Sequence, residues 1–98
     1  VSSHSGAMFI ERKHGGAYAY GSSKAALNRM TRSMCADLKS DNIAVVSLAP
    51  GHNRTDMGGE KAPLDPKVSM KIAQQTIIKL TMEDTGKFVY FTGKSVKW

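Results

Sequence analysis

Tyr20 and Lys24 are four residues apart, at the start of a segment rich in helix formers. Residues at that spacing stack on one face of a helix, with a rise of about 6 Å between them. A phenol beside an ammonium is suited to acid/base work. The free phenol titrates near pH ~10, and a neighbouring cation favours the phenolate and lowers that value. Each unit of lowering corresponds to about 1.4 kcal/mol. A phenol brought toward neutrality donates and recovers a proton at cellular pH. Tyr18 is the competing tyrosine, but it lies six residues from Lys24, roughly 120° away around the helix. Spacing therefore selects Tyr20. A Tyr/Lys pair at helical spacing is nonetheless most often an ordinary surface or core pair, so the pair alone does not define a site. Metal chemistry has less support. His4, His14 and His52 are too isolated to form a ligand motif, and Cys35, the one cysteine, does not supply a zinc set.

The elements that must hold the pair follow from hydrophobic patterning. Val1 to Ser3 reads as the tail of a strand, and residues 4–16 as a loop rich in Gly, Ser and His. Residues 17–39 read as a helix, with Leu27, Met30, Met34 and Leu38 in one apolar stripe and Ala25, Ala26 and Ala36 favouring the helical state. Ser40, Asp41 and Asn42 end it. Ile43 to Leu48 is a short β-branched run, expected to be a strand buried on both faces and stopped by Pro50-Gly51. Residues 51–64 are a long polar loop. Asp65-Pro66 is a helix start, and Val68, Ile72, Ile77 and Leu80 mark a helix ending near Leu80. Thr81, with Asp84 three residues on, can cap a short turn through Thr85. Phe88 to Phe91 is a second apolar strand, and Gly93 begins a tail. Strand, helix, strand, helix, strand argues for an α/β chain with a parallel sheet.

Composition bounds the function classes. The chain has 98 residues, a hydrophobic fraction of 41% and a formal net charge of +6. It fits one small domain that buries roughly 60–65% of its unfolded surface, not a disordered or low-complexity chain. No apolar run approaches the ~20 residues of a membrane helix, and no secretory signal opens the sequence as given. A single cysteine excludes an internal disulfide framework and suits a reducing, cytoplasmic compartment. Asn53-Arg54-Thr55 fits a glycosylation sequon, discounted in that context. The basic residues are scattered, with Arg12-Lys13-His14 and the pair Lys94 and Lys97 the densest groups. The seven aromatic residues do not interleave with a basic stripe, so nucleic acid is not an expected partner.

Several segments together resemble the short-chain dehydrogenase/reductase family. Tyr20-Gly21-Ser22-Ser23-Lys24-Ala25-Ala26-Leu27-Asn28 is similar to its YxxxK motif and usual continuation. Val1-Ser2-Ser3-His4-Ser5-Gly6 is similar to the strand end and loop carrying its catalytic serine. Asn42 to Leu48, then Pro50-Gly51 and Thr55, resembles the strand and Pro-Gly loop beside the nicotinamide. Thr55-Asp56-Met57-Gly58-Gly59 and the closing Gly93 to Trp98 resemble its C-factor-like, carbonyl-reductase-type branch. The resemblance spans nearly the whole chain. It implies an α/β fold, the C-terminal half of a doubly wound, Rossmann-like parallel-sheet domain, and NADP or NAD as cofactor. It implies hydride transfer between nicotinamide and a small carbonyl or alcohol substrate, with Tyr20 as proton donor or acceptor. Lys24 would lower the Tyr20 pKa and bind the nicotinamide ribose, and Ser3 would hold the carbonyl oxygen. Ser3 is preferred to Ser2 because Ser3-His4-Ser5-Gly6 fits the family's Ser-x-x-Gly spacing; Ser5 remains a competitor. Pro50, Gly51 and Thr55 would contact the nicotinamide. The helix over 17–39 is a possible homo-oligomer surface.

The chain departs from the family pattern in three places. Ser3 lies seventeen residues before Tyr20, a longer gap than usual, which reads as a loop insertion over Glu11 to Gly16. Asn53 stands where the family usually carries an apolar residue. No two of the nine glycines are separated by two positions, so the sequence holds no GxGxxG phosphate loop. Residues 1–98 are therefore expected to be the catalytic half of a domain whose dinucleotide-binding half, and the family's catalytic Asn, lie upstream. Such a half on its own is expected to expose a sheet edge, bind cofactor weakly and aggregate. The alternative is a truncated, non-catalytic paralogue that acts as a structural or interaction module.

Overall fold

A computed structural model of the chain describes residues 1–11 and 15–98. The basic group Arg12-Lys13-His14 and the middle of the expected loop insertion lie outside the described residues. The first segment is a tight turn, His4–Gly6, followed by helix α1, Tyr18–Leu38. Strand β1, Ser47–Ala49, leads through a long loop to helix α2, Pro66–Ile78. A short turn, Met82–Asp84, precedes strand β2, Phe88–Tyr90, and strand β3, Ser95–Val96. No helix among the described residues is long and apolar enough to cross a membrane.

The sheet order is β1-β2-β3. β1 and β2 are parallel, with Leu48 opposite Val89, as the β-α-β pattern requires. β3 is a correction to the sequence reading, which made this segment a tail. Gly93 takes a left-handed φ of 88°, Tyr90 N–H donates to the Lys94 carbonyl, and the chain folds back antiparallel on β2. A glycine accepts that conformation without a steric penalty.

Two further expectations about strands are corrected. Val1 to Ser3 forms no strand: the stretch makes one ladder-like bond, from Ser2 N–H to the Leu48 carbonyl (2.7 Å), before the His4–Gly6 turn ends it. The expected strand over Ile43 to Leu48 is shorter and displaced. Before Ser47 the partner chain turns away at Met82–Asp84. Val45 instead receives Gly86 N–H on its carbonyl and gives its own N–H to the Thr85 hydroxyl. Ile43 is left exposed.

Alternation along the strands places a helix on each face of the sheet. Leu48, Val89 and Phe91 pack with Ala73 of α2, flanked by Leu64 and Ile72. Ala49 and Phe88 point the other way, to Ala7 with Val96 and Trp98. Ser47 shares that second face and bonds to α1. This is the doubly wound arrangement of an α/β domain. α2 begins as expected, with the Asp65 carboxylate accepting Lys67 N–H (2.8 Å) and Pro66 in the first turn. Its buried face is Ser69 and Ala73, with Ile72 half-buried, while Val68 and Ile77 are exposed.

The face that α1 buries also corrects the sequence reading. Asn28 and Thr31 are buried, whereas Met30 and Met34 of the apolar stripe are 59% and 45% exposed. The reason is the polar strand residue opposite. Ser47 Oγ lies 3.0 Å from Thr31 Oγ1 and 3.3 Å from Asn28 Oδ1. Asn28 Oδ1 also accepts from Ser2 Oγ (2.5 Å), and Nδ2 donates to the Gly6 carbonyl (3.1 Å). A buried amide with such partners outweighs the pull of methionines toward the interior, because leaving the polar groups unpaired costs about 1–3 kcal/mol each.

Two outcomes are expected. Asn28→Ala leaves Ser2 and the Gly6 carbonyl short of partners and lowers stability by about 1–3 kcal/mol or more. A urea midpoint equal to that of the parent would contradict it. Asp84 is held below the ordinary carboxylate range, first by the hydrogen bond from Lys87 and then by the Thr81 backbone N–H. A depressed folded-state value adds stability above the unfolded carboxylate range, and that stability is lost as pH falls through the folded value. Asp84→Asn therefore flattens the acid limb of the stability curve slightly, read from melting temperatures across acid pH.

Candidate active site

A cavity of about 790 Å³ opens at the carboxyl ends of β1 and β2. Ser3, Tyr20, Pro50, Gly51 and Thr55 all line it. Three segments supply them, the N-terminal stretch, α1 and the loop after β1, so the fold gathers residues scattered along the sequence.

Tyr20 stands in the first turn of α1, 39% exposed, with Lys24 one turn on. Lys24 does not line the cavity. Its Nζ lies 5.7 Å from the centre of the Tyr20 ring and donates to the Val1 carbonyl at 3.3 Å. Tyr18 is 80% exposed and is not among the cavity-lining residues. The helix enters without a side-chain cap: Gly16 and Ala17 both take left-handed φ, at 97° and 51°.

Ser3 caps the His4–Gly6 turn, its Oγ accepting Ser5 N–H at 3.1 Å. That bond orients the hydroxyl oxygen and leaves its proton available to donate. Ser2 is committed elsewhere, to Asn28. Ser5 also lines the cavity. The turn reaches Tyr20 because two glycines allow it to touch α1. A Cβ on Gly6 would lie 2.5 Å from the Lys24 carbonyl carbon, and one on Gly21 would lie 3.2 Å from the Ser5 carbonyl oxygen.

The opposite wall is the Pro50-Gly51 turn and the loop after it. Gly51 has φ 82°, and a Cβ there would come within 2.5 Å of Leu64 and 3.0 Å of the Tyr90 hydroxyl. Asn53 turns its side chain inward. Its Nδ2 donates to the Pro50 carbonyl (2.9 Å) and the Gly51 carbonyl (3.2 Å), and its Oδ1 accepts from Ser69 Oγ. Thr55 Oγ1 accepts Gly58 N–H (3.2 Å), and the loop closes where Asn53 pairs with Leu64. Patterning did not single out two other lining residues, His4 and Tyr90. Their rings stack at 4.8 Å with 19° between planes. A β-hairpin signal at Gly93 would have put Tyr90 at a strand end; nothing in the spacing marks His4.

The arrangement offers a phenol, a hydroxyl with a proton to give, and a cation one helical turn away, around a cavity that has no carboxylate, lysine or arginine side chain among the described residues of its lining. No cluster of metal-ligating side chains occurs among the described residues.

The family model for short chain dehydrogenase matches residues 1–65, two thirds of the chain, and the chain belongs to that family. Over 84 residues it is 44% identical to the C-signal protein of Myxococcus xanthus, covering 86% of this chain and 51% of that one. The fold is similar to the carbonyl reductase Sniffer of D. melanogaster, with TM-score 0.94 and 44% identity over 99% of this chain and 39% of that one. It is also similar to the NADPH-bound carbonyl reductase from chicken fatty liver, with TM-score 0.89 and 31% identity, covering 99% of this chain and 40% of that one. The chain thus spans about half, or less, of the length of these proteins.

Gly6→Ala tests the contact that seats the His4–Gly6 turn against α1. The added methyl meets backbone rather than a flexible side chain, so the turn must lift from α1 at an expected cost of about 1–3 kcal/mol. Denaturant unfolding measures this, and a neutral substitution would show that the turn is not held there.

Proposed function

We propose that this chain supplies the proton-transfer and nicotinamide-facing part of an NAD(P)-dependent oxidoreductase that acts on small carbonyl or alcohol substrates. The observation that carries the proposal is the convergence of Ser3, Tyr20, Pro50, Gly51 and Thr55 on one cavity, with Lys24 behind Tyr20. Family membership and the NADPH bound to the chicken carbonyl reductase support it. The share of the relatives covered supports a further part of the proposal. Residues 1–98 form one half of a single α/β domain, and a dinucleotide-binding half belongs to the same protein.

The residues present fit a nicotinamide cofactor. The cavity is wide enough for the nicotinamide end, Pro50 and Gly51 form one wall of it, and the Thr55 hydroxyl keeps a proton to donate. The Lys24 ammonium has donors beyond the one used on Val1, suited to ribose hydroxyls. When bound, the nicotinamide supplies or accepts the hydride. The chain's own residues manage the proton. The Ser3 hydroxyl donates a hydrogen bond to the carbonyl oxygen, keeping its own proton, and fixes that oxygen near Tyr20. Tyr20 Oη gives its proton to that oxygen in reduction and takes it back in oxidation. Lys24 stabilises the negative charge that develops on Oη. The described lining, which carries no carboxylate, lysine or arginine side chain, favours a neutral substrate, and the outward face with Met30 and Met34 offers a surface for a second subunit.

Tyr20→Phe in the protein carrying this chain is the test. Turnover of a carbonyl probe such as benzaldehyde is expected to fall about 100- to 10,000-fold, the usual worth of a positioned proton donor. NADPH binding, read by fluorescence, should be largely kept. Unchanged turnover would remove Tyr20 from the reaction.

A further inference from the structure

Resting on the oxidoreductase reading above, we infer that Asn53 is a positioning residue that locks the two walls of the cavity to each other, with Ser69 of α2 as its required partner. Every hydrogen-bonding group of the Asn53 amide is engaged. Its two N–H groups go to the Pro50 and Gly51 carbonyls, and its oxygen takes the Ser69 hydroxyl proton. The first pair fixes the tilt of the turn that forms one wall. The last bond reaches across to α2, where Pro66 and Met70, the residues around Ser69, form part of the other wall. Ser69 is 1% exposed, so its hydroxyl has no water to turn to, and its only other acceptor among the described residues is the Pro66 carbonyl at 3.3 Å.

The backbone at Asn53 is equally constrained. It pairs with Leu64, its carbonyl accepts Thr55 N–H at 3.0 Å, and a Cβ on Gly58 would lie 1.8 Å from the same carbonyl oxygen. Thr55, two residues on, is thereby set by the same anchor. An apolar side chain at position 53 would pack but could not orient carbonyls or hold α2, because hydrophobic contact has no direction. The amide thus sets the distance between the nicotinamide wall and the substrate wall.

Two substitutions separate the two sides of the anchor. Asn53→Asp keeps the acceptor for Ser69 and removes both donors to the turn. Ser69→Ala keeps the turn and releases α2. Without cofactor, hydrogen exchange over residues 50–64 should quicken in N53D. NADPH affinity should weaken about fivefold or more in N53D, about the worth of one hydrogen bond, and stay within about twofold in S69A. The KM for benzaldehyde should rise about fivefold in S69A with kcat largely kept, a split that a general loss of stability would not produce. Faster exchange with unchanged NADPH affinity and KM would reduce Asn53 to a structural role and overturn the inference. So would two variants that match the parent in every readout, while the parent itself binds NADPH and turns over. A parent that does not bind NADPH would instead overturn the oxidoreductase reading, and the inference with it.

Discussion

Asn28 holds three segments of the chain with one side chain. Its oxygen accepts from Ser2 and approaches Ser47 of β1, and its nitrogen donates to the Gly6 carbonyl, all in a buried setting. The N-terminal stretch, the His4–Gly6 turn and β1 are thereby referred to α1, which carries Tyr20 and Lys24. The contact is as close as backbone allows: Gly6 leaves no room for a Cβ against the Lys24 carbonyl. Hydrophobic burial alone would let the turn slide along the helix, since its energy follows area and not direction. An amide with all its partners in place does not permit that, because any slip leaves buried groups unpaired.

The same physical device recurs on the far side of the cavity. Asn53 uses its amide on the Pro50-Gly51 turn and on Ser69, as Asn28 uses its own on Gly6, Ser2 and Ser47. The strands between them are only two or three residues long. The apolar clusters are small, built around Leu48, Val89 and Phe91 on one face and Ala49 and Phe88 on the other. The clusters favour compaction, and the two asparagines decide which compact arrangement is adopted. Division of labour of this kind suits a site whose groups must be placed to fractions of an ångström.

Much of this was legible from residue types. The helix over 17–39 appears at Tyr18–Leu38, because alanines and a well-placed ending at Asp41-Asn42 leave little choice. Asp65-Pro66 begins α2, and Thr81 with Asp84 forms the capping box expected of that spacing. The i to i+4 step from Tyr20 to Lys24 singled out Tyr20, and Tyr20 lines the cavity whereas Tyr18 is not among its lining residues. The misses arise where partners distant in sequence or backbone conformation decide, which apolar periodicity does not register. The stripe Leu27, Met30, Met34 suggested the wrong inward face, since Asn28 and Thr31 answer to Ser47, a partner distant in sequence. The strand from Ile43 was cut short by the path of residues 82–87, which no local pattern reports. β3 needed a left-handed glycine at 93 that a tail reading had no reason to demand. Asn53 was visible as an oddity of type, but its partner Ser69 lies in another element.

The position of the cavity follows from the same topology. In a parallel sheet the strands end together, and their carboxyl ends open toward the loops that lead into helices on either face. β1 ends at Ala49, and Pro50 and Gly51 turn there toward α2. β2 ends at Tyr90, whose ring closes the same side against His4. The pleat sends Ser47 and Ala49 toward α1 and Leu48 toward α2, so the two helices are held apart by the thickness of the strand. The gap between the start of α1 and the start of α2, at the strand ends, is the cavity that Tyr20, Pro66 and Met70 all line. Lys24 is kept out of that gap by one helical turn, and its ammonium is steadied on the Val1 carbonyl. The next residue, Ser2, gives its N–H to Leu48 in β1 and its hydroxyl to Asn28. Tyr20 and Lys24, the hydroxyl of Ser3 and the strand end are thus joined through three consecutive residues, and a displacement of any one of them moves the others.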